Sequence, residues 1–141
     1  MTDVQIRVDA EVNQTEDLEK VKTAVENMFG PLDFEVKDKL WGQLLTVRIT
    51  GTQGLTKLSN LLKREQILAA ARKVLRNCID NNSITFYLNK QVAYAGHVSF
   101  SQQSHESPLG PITVKIDCDD PKKLVNWLAP RTIKQSSSRK K

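Results

Sequence analysis

Three groups of side chains in this chain have the types and spacing to do chemistry on a partner. Asn89, Lys90 and Gln91 interrupt two apolar runs, Ile84 to Leu88 and Val92 to Gly96. Amides both donate and accept hydrogen bonds and an ammonium is a mobile point charge, so this trio suits phosphate, ribose or base edges. The same three residues also spell a polar hairpin turn. Arg72, Lys73 and Arg76 fall on the face of a helix opposite Leu68, Leu75 and Ile79. Like charges that close oppose one another mildly, and an external anion relieves them. Asp80, four residues after Arg76, is an internal alternative, and a solvated helix face is the plain one. Arg139, Lys140 and Lys141 close the chain behind Ser136, Ser137 and Ser138.

Other chemistries find no constellation. Gly51-Thr52-Gln53-Gly54 matches the Gly-x-x-Gly spelling of a loop that clamps nucleotide backbone, but it carries no Lys or Arg and joins a strand to a helix, as a plain turn does. It also lacks the Lys-Ser/Thr ending of a phosphate-binding loop. His97 and His105 have no third ligand at metal spacing. Asp117, Asp119 and Asp120 imitate an acidic cluster, yet Asp120 suits a helix N-cap and strand alternation sends Asp117 and Cys118 to opposite faces. Cys78 belongs to an apolar helical stripe with Leu75 and Ile79, and no serine sits in a nucleophile elbow. The expectation is therefore no catalytic residue, no metal and no cofactor.

Composition sets the class. With 141 residues, 39% hydrophobic and 26% charged, the chain suits one soluble globular domain, placed at 1–132, followed by a basic low-complexity tail at 133–141 that is expected to be disordered. It shows no signal segment and no membrane-length apolar run, so a cytoplasmic protein with reduced cysteines is expected. The net charge is +5, but its distribution says more: residues 1–40 hold 10 acids against 5 bases, and the remainder holds 6 acids against 16 bases. Clustered cations point to a polyanion, although cations distant in sequence can scatter over different faces.

The elements that must position these groups follow from periodicity. Val4, Ile6, Val8, Ala10 and Val12 alternate as a half-buried strand. Thr15 offers an N-cap and Leu18, Val21, Val25 and Met28 a helical stripe, which Gly30-Pro31 ends. Strands near 33–37 and 44–50 form a hairpin through Asp38 to Gly42. The leucines from Leu55 to Leu62 are out of phase with Ile67 to Cys78, so the helix must break between Lys63 and Gln66. Strands are expected at 83–88, 92–100 and 112–118, and a last helix begins at Asp120-Pro121 and stops at Pro130. The order β-α-β-β-α(α)-β-β-β-α implies an α+β two-layer sandwich, a largely antiparallel sheet with helices on one face.

Several blocks also occur together: Asn13-Gln14-Thr15-Glu16-Asp17, Ile67-Leu68-Ala69-Ala70-Ala71-Arg72, Leu88-Asn89-Lys90-Gln91-Val92-Ala93, Leu109-Gly110-Pro111-Ile112-Thr113-Val114 and Trp127-Leu128-Ala129-Pro130-Arg131-Thr132. From about residue 4 to 132 the chain resembles an uncharacterised archaeal protein family grouped with predicted RNA-binding and exosome-linked proteins. The resemblance implies a fold similar to ribosomal large-subunit protein five, an RNA-binding α+β sandwich. The family often has Pro where Gln14 stands, and a glycine-ended terminus where this chain has its Ser/Arg/Lys tail.

Two functional classes follow. The first is a non-catalytic RNA-binding protein that engages phosphates through Arg72, Lys73, Arg76, Asn89, Lys90, Gln91, Arg139 and Lys140. The second is an interaction or assembly module, most simply a homodimer that buries Tyr87 or Trp41.

Overall fold

A computed structural model describes residues 4–101 and 111–130. The tail at 133–141, with Arg139 and Lys140, and His105 lie outside the described residues. The chain runs β1 (Gln5–Asn13), α1 (Leu18–Phe29), β2 (Glu35–Lys39), β3 (Gly42–Thr50), a 3-10 turn (Thr52–Leu55), α2 (Thr56–Arg64), α3 (Leu68–Asn77), β4 (Ile79–Asp80), β5 (Ser83–Leu88), α4 (Lys90–Tyr94), β6 (Phe100–Ser101), β7 (Ile112–Asp117) and α5 (Pro121–Leu128). The strands form one antiparallel sheet in the order β2-β3-β1-β7-β5-β4, with β6 pairing the far end of β5.

Alternation decides the two faces. Ile6, Val8, Ala10 and Val12 of β1, Ile84, Phe86 and Leu88 of β5, and Ile112, Val114 and Ile116 of β7 are all buried. Against them pack Val21, Val25 and Met28 of α1, Leu58 and Leu62 of α2, Ala71 and Leu75 of α3, and Leu124, Val125 and Leu128 of α5. Each such Leu, Ile or Phe contributes about 1.5–3 kcal/mol by leaving water. The opposite face carries the intervening polar residues, and none of the helices among the described residues contributes to a second layer there, which makes the two-layer sandwich.

Local signals account for the element ends. The helix break expected between Lys63 and Gln66 occurs there: α2 stops at Arg64, and Gln66 takes a left-handed φ of 59°. Asp120 caps α5, its carboxylate accepting from the Lys123 N–H at 3.1 Å with Pro121 in the first turn. At α1 the cap is Asp17 rather than Thr15, since the Asp17 carboxylate accepts from the Glu19 N–H at 2.9 Å. Gly42 closes the β2–β3 hairpin with φ 148°, and a Cβ there would collide with the Val12 carbonyl oxygen.

The larger departure is at 92–100, where a continuous strand was expected. The Asn89 side chain accepts from the Val92 N–H at 3.0 Å and starts α4; Gly96, at φ 89°, then turns the chain back. Among the described residues only Phe100 and Ser101 return to pair with β5, and the Phe100 ring meets Phe86 at 5.8 Å. The hairpin survives with a helix in its loop. In so short a segment an apolar alternation and a helical turn look alike, and the Asn89 cap decides between them.

Candidate nucleic-acid interface

Among the described residues, the α2–α3 pair carries the strongest concentration of positive charge. Lys57, Lys63, Arg64, Arg72, Lys73 and Arg76 are accompanied there by one carboxylate, Glu65. That carboxylate is already engaged. Its Oε2 lies 2.9 Å from His97 Nδ1 and its Oε1 accepts from the Val98 N–H at 3.2 Å. Burial by itself would raise the Glu65 carboxyl, but the hydrogen bonds from His97 and Val98, with the charges of His97 and Arg64, hold it below its ordinary value. Arg64 Nη2 donates to the Gly96 carbonyl at 3.2 Å, so the α2–α3 elbow is clamped to the chain that leaves α4.

Of the cations expected on α3, Lys73 and Arg76 are exposed. Neither they nor Lys63 has an ion-pair partner among the described residues. Arg72 is half-buried, and its Nη2 donates to Asn126 Oδ1 at 2.9 Å, which fixes α3 against α5. α5 adds exposed Lys122 and Lys123, and Trp127, the neighbour of Asn126, leaves its ring exposed. The surface over α2, α3 and α5 thus combines unpaired cations with one available aromatic ring.

The Asn89–Gln91 trio does not join that surface. α4 packs on α1, whereas α3 packs on α5. Asn89 is half-buried, and its side-chain oxygen is occupied as a helix cap. Lys90, expected to reach phosphate, is corrected outright: only 6% of it is exposed. Its Nζ donates to the Glu11 carbonyl at 2.6 Å and to both oxygens of Glu16 at 3.0 Å. Three donors meet three acceptors, leaving none for a ligand. Gln91 is exposed and lines a cleft of about 390 Å³ between α1 and α4, shared with Thr15, Asp17, Lys20 and Tyr94.

A second cationic group comes from register alone. Arg48 of β3, Arg7 of β1 and Lys115 of β7 stand opposite one another across three adjacent strands, with Thr85 of β5 completing the row on the open face. Arg7 is paired with Asp9 at 3.0 Å; Arg48 and Lys115 have no ion-pair partner among the described residues. Tyr87 lies on the same face, opposite Thr113 and Ser101. Strand alternation shows that these residues leave the core, but no sequence signal aligns them.

Both cysteines are free, and burial raises the Cys78 and Cys118 thiols, so neither is activated as a nucleophile. Among the described residues no helix is long and apolar enough to cross a membrane.

Known proteins share this architecture and sequence. A family model described as RNA binding matches residues 5–118. A UPF0201 protein of Sulfolobus acidocaldarius is 44% identical over 133 residues, covering 92% of this chain and 90% of that protein. One from Pyrobaculum aerophilum is 41% identical over 132 residues, covering 92% of each. The crystal structure of a UPF0201 protein from Methanococcus jannaschii superposes with a TM-score of 0.80 at 35% identity, over 89% of this chain and 99% of that one. With a single antiparallel α+β unit, matched over nearly its whole length in sequence and structure, the chain belongs to the UPF0201 family of archaeal proteins.

Proposed function

We propose that this protein is a non-catalytic RNA-binding protein of the cytoplasm, and that the α2–α3–α5 surface is where RNA lies. The observation that carries the reading is the imbalance on α2 and α3: six cations against one carboxylate, with that carboxylate held by His97 and Val98. A polyanion relieves such a surface, because each neutralised phosphate releases counterions. Lys63, Lys73 and Arg76 supply point charges and planar forks for phosphate, and Trp127 supplies a face on which an unstacked base can rest. The description of the family model as RNA binding supports the same reading. The proposal also includes a fold similar to ribosomal large-subunit protein five and the grouping of the family with exosome-linked proteins.

The test is anisotropy titration of the full chain with a labelled single strand and a labelled hairpin RNA across a salt series. The logarithm of affinity should fall linearly with the logarithm of salt, by roughly 0.7 per neutralised phosphate on the single strand. Lys73→Ala and Arg76→Ala should each reduce that slope by about 0.7, the share of one phosphate contact. Lys90→Met, if folded, should bind as the wild type does. No retention of either RNA at low salt would overturn the reading.

A further inference from the structure

The β2–β3 hairpin ends in an apolar tip that stands exposed among the described residues. Leu40 is 98% exposed and Trp41 41% exposed. Next to that tip, on the same end of the molecule, lies the α1–α4 cleft. The Gln14 side chain donates to the Leu40 carbonyl at 3.3 Å, and Asn13 is registered opposite Gly42. The turn that follows Asn13 supplies Thr15, Glu16 and Asp17 to the cleft wall, with Val21, Ala24 and the 47% exposed Tyr94 beyond them. A knob and a hole thus sit side by side.

We propose that this end is the contact between two copies of the chain, the Leu40–Trp41 tip of each entering the α1–α4 cleft of the other. A two-fold interface requires one patch to be self-complementary, and an adjacent knob and hole satisfy that requirement when the axis passes between them. The chemistry of the rim selects the occupant. Glu11, Asp17 and Asp38 at this end are interspersed with Lys20, Lys37 and Lys39, so the rim is mixed in charge, lacks the cationic excess that draws a polyanion to the α2–α3 surface, and suits a second copy carrying the same mixture. The cleft's one buried cation, Lys90, is neutralised by Glu16 and offers no anion site. Its volume of about 390 Å³ falls in the range that holds compact apolar groups. Charge also matches across the axis: exposed Lys39 precedes the tip, and exposed Asp17 lines the cleft. The proposal is independent of the RNA reading, because the two surfaces belong to different elements.

The experiment is sedimentation equilibrium of the full chain over a wide concentration range, with the emission of Trp41 followed in a Trp127→Phe background. Wild-type protein should form a dimer, with Trp41 emission shifting to the blue as it forms. Leu40→Ser should weaken association about a hundredfold, since its loss is counted in both halves of a symmetric contact. The residue is almost wholly exposed, so the fold is retained, which circular dichroism verifies. Tyr94→Ser should weaken association from the cleft side. An equimolar mixture of the two variants should associate more tightly than either alone, because one intact tip then faces one intact cleft. A monomer at every concentration, or a dimer indifferent to Leu40→Ser, would overturn the proposal. So would a monomer whose Trp41 emission responds to single-stranded RNA, which would assign this end to nucleic acid. Because the RNA titrations probe other residues, failure of either idea leaves the other standing.

Discussion

The Lys90 ammonium has three N–H donors and meets three oxygens, two of them on Glu16 and one on the Glu11 carbonyl. Glu16 Oε1 also accepts from the Asn13 N–H at 2.9 Å, so one buried pair ties the end of β1, the turn into α1 and the start of α4. Breaking a buried pair strands a charge away from water, whereas replacing both partners by apolar groups of similar volume is often close to neutral. Glu16→Gln should therefore destabilise the protein by about 3–5 kcal/mol in urea unfolding, by leaving Lys90 without its countercharge. The double replacement Glu16→Leu with Lys90→Met should recover most of that loss. A Lys expected to face a ligand and a Lys that knots three segments look identical in sequence, because the acceptors lie 74 and 79 positions away.

At the scale of elements, the elbow between α2 and α3 shows how a local break is used. Out-of-phase leucines force the helix to stop, Gln66 makes the turn at a positive φ, and the neighbouring Arg64 and Glu65 are thereby placed to grip the chain that follows α4. Glu65 gives this clamp a pH dependence. Its carboxyl ionises at a lower pH in the folded protein than in the unfolded chain. The resulting stability is complete above the unfolded carboxylate value, roughly 4.3, and is lost as pH falls through the depressed folded value. Glu65→Gln should lower the urea midpoint at neutral pH, and the difference from wild type should shrink steadily on acidification below about pH 4. The break itself was legible from phase. What the break holds was not, since α4 stood in the place of an expected strand.

For the molecule as a whole, the sheet sorts charge in a way that no single element specifies. Arg48, Arg7 and Lys115 are brought into one row by two antiparallel registers. Like charges directly opposite one another on a sheet are destabilising by a few tenths to about 1 kcal/mol per pair. Lys115→Thr should accordingly raise the thermal midpoint at low ionic strength, and added salt should erase much of the gain by screening the wild-type row. A Lys115→Thr variant no more stable than wild type would mean that Asp9, bonded to Arg7, or Asp117, two residues along β7, already compensates the row.

The amino-acid order determined the layers, because a period of two in β1, β5 and β7 and a stripe on α1, α3 and α5 each define one wet and one dry side without reference to anything distant. It also determined the ends of α2 and α5, where phase and the Asp120-Pro121 cap act within a few residues. It placed Arg72, Lys73 and Arg76 on an outer helix face, again a local property. Only the tertiary structure decided which cations remain available. Lys90 is buried by Glu11 and Glu16, Arg72 is bonded to Asn126, and Arg7 is aligned with Arg48 and Lys115, and each of these relations joins residues far apart in the chain. Whether a charged side chain meets solvent, a partner or its own fold depends on long-range packing, and local pattern carries no record of it.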